Sequence, residues 1–401
     1  MRASDHAGPF SVALFRPLWA IAFTANICAL TQTVAAGWAM AAAGSAAQVA
    51  SVQTALTFPI MLLAIIAGTL ADHLGPPRII AAAFGLMFLS AATLSLLATG
   101  PLVSPNILLA ACFLFGCGTA LLNPTLTSTV GDYLPSTILP EGLAAISIPN
   151  NLSRCVGPAL GGLLVAATGP TVTYMFNAVA ALTMMIVAAR TLRHSRQDSN
   201  GHIGKAILDG FRLTGQSLTL RIVLSRSFAY SAASSAIWAL MPLVARDQLY
   251  GNAKTYGLLM SGLGLGAILF ALRVRSIRAR LGMEGTVRWF TTAGALALVI
   301  LPYLHALPLA FPALLLLGAS YTGVMTVWSA TAQLSAPRHL AGRAVGSFHT
   351  ALFGGMALGS WFWGHLAQSI GLPLVLSLSG LAVAATLVAG WRWPAPAISA
   401  D

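Results

Sequence analysis

The chain has 401 residues, of which 57% are hydrophobic and only 7% charged. A soluble domain carries about 25% charged residues, which excludes a water-soluble enzyme, a disordered chain and a disulfide scaffold. Lysine and arginine total 21 against nine acidic residues, a net charge of +12; these cations lie in short stretches between apolar runs, where membrane anchors belong, and not in a nucleic-acid patch.

Continuous apolar runs of about 18 to 25 residues predict membrane-crossing helices. A β-barrel would alternate apolar and polar residues instead. In chain order the runs fall at 17–41, 47–71, 78–99, 106–130, 142–167, 171–191, 222–245, 254–272, 287–305, 309–334, 343–368 and 371–391. The first is too long for the apolar core of a secretory leader, although the small residues at 41–47 resemble a cleavage region. Most connections are very short. One polar segment, 192–221, separates two groups of six runs, and within it Ile203, Ile207, Leu208 and Phe211 fit one side of a short surface helix. The expected fold is an all-α membrane protein with twelve transmembrane helices in two pseudo-symmetric six-helix bundles. Residues 1–191 make the first bundle, 192–221 a cytoplasmic linker and 222–401 the second.

The distribution of cations sets the expected orientation. With both termini in the cytoplasm, 17 of the 21 lysines and arginines sit in the cytoplasmic connections and termini or at the run ends beside them, and Arg246 and Lys254 sit outside. Arg154 and Arg226 lie within runs. Cys28, Cys112, Cys117 and Cys155 also fall within runs, without metal-ligand spacing, and read as free thiols. The two halves echo each other about 200 residues apart. Ala36-Gly37-Trp38-Ala39-Met40 matches Ala236-Ile237-Trp238-Ala239-Leu240, and Gly157-Pro158-Ala159-Leu160-Gly161 matches Gly355-Met356-Ala357-Leu358-Gly359. Such a repeat is how secondary transporters build alternating access around a midplane site.

The connection after the second run reads Gly68-Thr69-Leu70-Ala71-Asp72-His73-Leu74-Gly75-Pro76-Pro77-Arg78-Ile79-Ile80. It resembles the cytoplasmic signature of the major facilitator superfamily. Gly68, Leu70, Ala71, Asp72, Gly75 and Ile80 fit; His73, Pro76 and Pro77 replace the usual cations, and Arg78 supplies one charge nearby. Gly68 permits close helix approach, Gly75 and the prolines make a tight turn, and Asp72 can accept hydrogen bonds from a helix N-terminus in the opposite half. Gly157-Pro158-Ala159-Leu160-Gly161-Gly162 is similar to the antiporter motif of the export branches. Its glycines allow tight packing and Pro158 bends the helix. The stretch Asn151-Leu152-Ser153-Arg154-Cys155-Val156-Gly157-Pro158-Ala159-Leu160 looks like the transmembrane secretion effector (enterobactin exporter-like) efflux family. Trp238-Ala239-Leu240-Met241-Pro242-Leu243, Tyr256-Gly257-Leu258-Leu259 and Trp361-Phe362-Trp363-Gly364 also resemble it, and the similarity runs from Phe15 to about Ala367. The resemblance implies the major facilitator fold and efflux.

Arg154 lies about 18 Å into the fifth run at 1.5 Å per residue. An arginine at that depth costs about 2.5 kcal/mol or more, so it needs partners inside the protein. Asn150 and Asn151 are adjacent. Two readings stand open: a cation that meets substrate or is linked to the proton, and a structural arginine satisfied by carbonyls. Every acidic residue falls in a connection, a terminus or a helix end. A cavity with an arginine and no acid favours anionic or neutral polar substrates. The resemblance implies a cavity lined by the first, fourth, seventh and tenth helices, where Asn26, Thr33, Asn123, Thr127, Tyr230, Ser234, Trp238, Tyr321 and Trp328 fall at helical spacing. Candidate proton carriers are Asp72, Asp132, Glu141, His349 and His365.

There is no Walker motif, catalytic triad or metal cluster, so no enzymatic activity, cofactor or metal is expected. The sequence points to a bacterial inner-membrane secondary transporter, functional as a monomer, whose partners are the bilayer, protons and a small organic substrate. It would export an anionic or neutral, siderophore-like molecule by proton antiport. A broad-range multidrug or macrolide-like exporter is the alternative within transport. A non-transporting membrane sensor or partner subunit is the rival outside it.

Overall fold

The computed structural model describes residues 8–98, 104–135, 137–192, 214–215, 217–337 and 340–392, without the side chains at 65, 68, 69, 71–73, 128, 132, 389, 391 and 392. The short surface helix expected around Ile203 to Phe211 lies outside the described residues. The chain forms α1 (Phe15–Ala43), α2 (Ala46–Leu74), α3 (Pro76–Leu97), α4 (Pro105–Tyr133), α5 (Leu139–Thr168), α6 (Pro170–Thr191) and α7 (Leu218–Leu243). The stretch Ala253–Ile300 is broken at Gly282, where φ is 67° and ψ −176°, and its arms are α8 (253–281) and α9 (283–300). Next come α10 (Leu307–Leu334), α11 (Ala341–Ile370) and α12 (Leu372–Arg392). No strand occurs among the described residues.

Eight stretches among the described residues are long and apolar enough to cross a membrane, with α8 and α9 counted together. α12, whose described apolar stretch Leu372–Val388 is shorter, is not among them, and neither are α5 and α11. Their apolar content is diluted by Asn150, Asn151 and Arg154 in one and by Ser347, His349, Ser360 and His365 in the other. α5 packs mainly against α1 and α8, and α11 against α2 and α7.

Local chemistry sets the helix ends. Prolines occupy first-turn positions of α3, α4, α5 and α6, where a missing N–H costs nothing. Ser104 and Ser217 cap α4 and α7, and Asn252 with Thr255 forms a capping box on α8. Four turns need positive φ, and glycine supplies it: Gly75 (84°), Gly169 (81°), Gly282 (67°) and Gly371 (86°). Gly75 and Gly282 follow the second helix of each set of six. Gly169 and Gly371 follow the fifth.

Packing repeats in the same way. A Cβ added to Gly157 would lie 2.8 Å from Leu30 Cβ, and one at Gly161 3.0 Å from Thr31 Cα, so α5 lies close against α1. Gly355 and Gly359 place α11 against Ser231, Ala232 and Ser235 of α7. These are the stretches that match in sequence. Within the first set, Asn177 of α6 accepts from Thr31 at 2.8 Å and donates to Gln32 at 2.9 Å, a polar tie between helices that lipid cannot weaken by competition.

Two seams join α1–α6 to α7–α12. Across α2 and α11, Thr54 donates to the Ala357 carbonyl at 3.0 Å, and Gly364 lies against Ala50. Across α5 and α8, a Cβ on Gly162 would stand 2.8 Å from Gly257 Cα, and Gly264 lies against the Arg154 carbonyl. Pro158 and Gly162 thus face α8 while Gly157 and Gly161 face α1. These approaches gather toward the end of the molecule that carries the α1–α2 turn at Gly44, called here the Gly44 face. The opposite end carries the α2–α3 turn and is called the Gly75 face.

Candidate functional site

The site is a layer at mid-height. Trp19 of α1 donates to the Ala145 carbonyl of α5 at 3.1 Å, and Leu30 meets Gly157 about three turns further along both helices. α1 and α5 therefore run parallel and in step, which brings Asn26 to the height of Arg154. On the other side of α5, Gly264 of α8 touches the Arg154 backbone, and Gly318 of α10 lies against Leu263. Tyr321, one turn past Gly318, reaches the same layer. The Arg154 guanidinium and the Tyr321 phenol are electrostatic neighbours across the two sets of helices.

Exposure shows how water reaches this layer. From Gly157 to Gly162 α5 is buried or half-buried, but below it Ser147, Asn150 and Arg154 are exposed, as are Asn123 and Thr127 on α4. Polar side chains at membrane depth line water-filled space or the protein interior, because lipid would not tolerate them. The exposed set therefore marks a vestibule open toward the Gly75 face. Asn26 and Thr33 are half-buried, and each donates to its own helix at 2.8 Å, to Ala22 and Ala29. Thr127 donates to the Asn123 carbonyl at 3.1 Å.

The aromatic candidates form one cluster, set mostly inside α7–α12. Tyr321 stands 5.6 Å from Trp238 and 6.3 Å from Tyr230, and Tyr230 is 5.6 Å edge-on to Trp328. Tyr230 is 2% exposed, Trp328 1% and Ser234 5%. The void between Tyr230, Ser234, Trp238 and Tyr321 holds about 10 Å³, the lower limit for one water. Of the four rings, Tyr321 and Trp238 are half-buried.

The gating and proton candidates are spread out. Arg78 is exposed in the first turn of α3, next to the Gly75 turn. The side chains of Asp72 and Asp132 and the surroundings of Gly68 lie outside what the structure describes. Glu141 is exposed in the first turn of α5, where the helix dipole favours an anion. His349 is half-buried between Phe348 and Phe353, at 5.7 and 6.1 Å between ring centroids. His365 is exposed near the Gly44 face, its ring tilted by 42° against Trp361 at 4.5 Å, with its Nδ1 2.8 Å from the Trp361 carbonyl. These groups do not converge on one place.

Sequence reasoning missed a second charged centre. Arg226 of α7, 5% exposed, grips Glu284 of α9 through two bonds of 3.0 and 3.1 Å, and its guanidinium lies 5.5 Å from the centroid of Trp328. Arg288 adds a third bond to Glu284 at 3.3 Å. The partners are 58 residues apart, so no local spacing announces them; the only signal was an arginine inside an apolar run. Removing Arg226 takes away two of these three bonds to Glu284 while Arg288 keeps its own, at a cost of up to about 3–5 kcal/mol for breaking a buried pair. Arg226→Ala should therefore lower the thermal midpoint sharply in detergent, while Arg226→Met with Glu284→Leu restores most of it. An unchanged midpoint in Arg226→Ala would show that the pair does not hold the fold.

The chain is a membrane transporter rather than an enzyme. The family profile described as transmembrane secretion effector matches residues 4–401. The chain belongs to that family, within the major facilitator superfamily, and is a transporter of the efflux type. It is 27% identical over 371 residues to the multidrug efflux pump Tap of Mycobacterium tuberculosis, covering 88% of this chain and 86% of that protein. It is 21% identical over 234 residues to the staphyloferrin A transporter of Staphylococcus aureus, covering 56% of this chain and 57% of that one. Among solved structures, a D-xylose-proton symporter aligns with a TM-score of 0.77 at 13% identity, over 98% of this chain and all of the other. The nucleoside transporter NupG aligns with a TM-score of 0.76 at 12% identity, over 95% and 98%. Those likenesses concern the fold.

Proposed function

We propose that the chain exports small organic molecules, anionic or neutral and polar, from the cytoplasm by alternating access with proton antiport. In this reading twelve spans form two six-helix bundles, 1–191 and 222–401, joined by a cytoplasmic linker, and one chain suffices for function. Both termini and the Gly75 face are cytoplasmic, because that placement gathers the lysines and arginines inside. The vestibule then opens to the cytoplasm, and the seams hold the outer side shut. Asp72 and its turn act as the cytoplasmic gate in the opposite conformation.

The observation that carries the substrate class is the exposed Arg154 at mid-height, with no described carboxylate in its layer. A guanidinium offers a planar fork of donors that fits carboxylate or catecholate oxygens. Attraction across a low-dielectric cavity exceeds that in water several-fold. The second reading, a broad-range multidrug exporter, draws support from the Tyr321 and Trp238 rings and from the similarity to a multidrug efflux pump. Proteoliposomes with an imposed pH gradient separate the two. Carboxyfluorescein, Nile red and ethidium serve as anionic, neutral and cationic probes, and internal pH is followed throughout. The first reading expects proton flux coupled to the anion and not to ethidium. Preferential ethidium transport would sink it, and equal handling of all three would favour the second.

A further inference from the structure

We infer that Arg246 is the latch of the Gly44 face: in this conformation it fastens the end of α7 to the exposed C-terminus of α1, and it must let go before that face opens. Among the described residues, Arg246 and Lys254 are the two cations at this face, so membrane anchoring by the cytoplasmic charge excess does not account for Arg246. The turn that carries it is purpose-built. After Leu243 the α-helix widens into a π-helix, Val244–Gln248, a form that recurs at functional sites because it rotates side chains out of register. Gln248 ties the turn to its own half by donating to the carbonyls of Leu301 and Leu304 at 2.6 and 3.0 Å. Tyr250 follows at φ 49°, left-handed backbone that a non-glycine residue adopts only when its surroundings hold it there.

On this base Asp247 clasps the guanidinium, Oδ1 to Nε at 2.5 Å and Oδ2 to Nη2 at 2.9 Å. That two-point grip fixes the plane of the fork and leaves Nη1 directed across the gap, where it donates to the carbonyl of Ala41. Ala41 lies in the last turn of α1, whose carbonyls lack helical partners and carry the negative end of the helix dipole. The contact joins the two sets of helices beside the close approach of Gly37 to Pro242 and Tyr256. Arg246 is a positioning residue: it touches no substrate and acts on the balance between conformations.

The inference rests on the alternating-access reading, but its test needs no transported molecule, so the two can fail separately. Spin labels at Ala43→Cys and Lys254→Cys, both exposed positions, in a chain otherwise freed of cysteine, report the width of the Gly44 face by pulsed dipolar spectroscopy. The background with Arg246 intact should show mainly the short distance. Arg246→Ala should raise the long-to-short ratio about tenfold, the scale of one charge-assisted hydrogen bond, with the thermal midpoint unchanged. Arg246→Lys should recover part of the short population. Asp247→Asn should fall between Arg246→Ala and the background, since the fork loses its clasp. Should Arg246→Ala fail to fold, Arg246→Lys and Asp247→Asn still carry the test. Distance distributions that match the background in the folded variants would overturn the latch.

Discussion

Arg154→Ala should reduce export of carboxyfluorescein by at least about tenfold while leaving Nile red within about threefold of wild type. A hydrogen bond to a charged group contributes about 1.5–3 kcal/mol, and about 1.4 kcal/mol is a factor of ten. Losing one such contact thus sets the lower bound, and a bidentate contact exceeds it. Arg154→Gln should behave like alanine, because it keeps length and loses charge. Arg154→Lys should retain partial export, since a point charge replaces a fork. The position supports this selectivity: the side chain is exposed to the vestibule, while the backbone of the same residue is pressed against Gly264. Changing the side chain therefore leaves the seam intact. Equal losses for all three probes, together with a lower thermal midpoint, would make Arg154 a brace between helices.

Gly162→Val or Gly257→Val should abolish transport altogether. A Cβ at either position meets the other helix's backbone at under 3.0 Å, and backbone cannot step aside as a side chain tip can. Overpacking a tight core costs about 1–3 kcal/mol, and here it also wedges apart the seam that shuts the Gly44 face. Gly162→Ala should show the same defect in milder form. The check is thermal stability alongside dye transport in proteoliposomes. Wild-type values for both in Gly257→Val would mean that α5 and α8 do not need this approach.

Much of the helical layout is legible in the sequence, because a bilayer admits few alternatives. The apolar runs coincide with described helices, and the glycine stretches that repeat do so because they pack equivalent helices together. The limits of the runs are less faithful. The run at 254–272 ends where the charges begin, whereas α8 continues to 281 through Arg273, Arg275, Arg278 and Arg280. Charge marks the edge of the hydrocarbon and not the end of the helix. Helical spacing placed Tyr230, Trp238, Tyr321 and Trp328 on related faces, and they do meet. It does not say which way a buried face looks, toward the cavity or toward a sibling helix, and so Tyr230 and Trp328 could not be separated from Tyr321 beforehand. Arg246 was legible only as an oddity of sign. Its partner is a backbone carbonyl on another helix, which leaves no residue type to search for.

The positive-φ glycines have a mechanical consequence. Gly75, Gly169, Gly282 and Gly371 each connect two long helices through a single residue. A one-residue joint leaves no slack, so neither helix of such a pair can slide along its partner. Each pair swings as one lever. Tilt at the α5–α8 seam is therefore handed on to α6 and α9, whose outer sides carry Val179 at 61% exposure and Leu296 at 56%. In the proposed alternating-access cycle, rocking of the seam would reach these outward positions and so feel the thickness and lateral pressure of the surrounding bilayer.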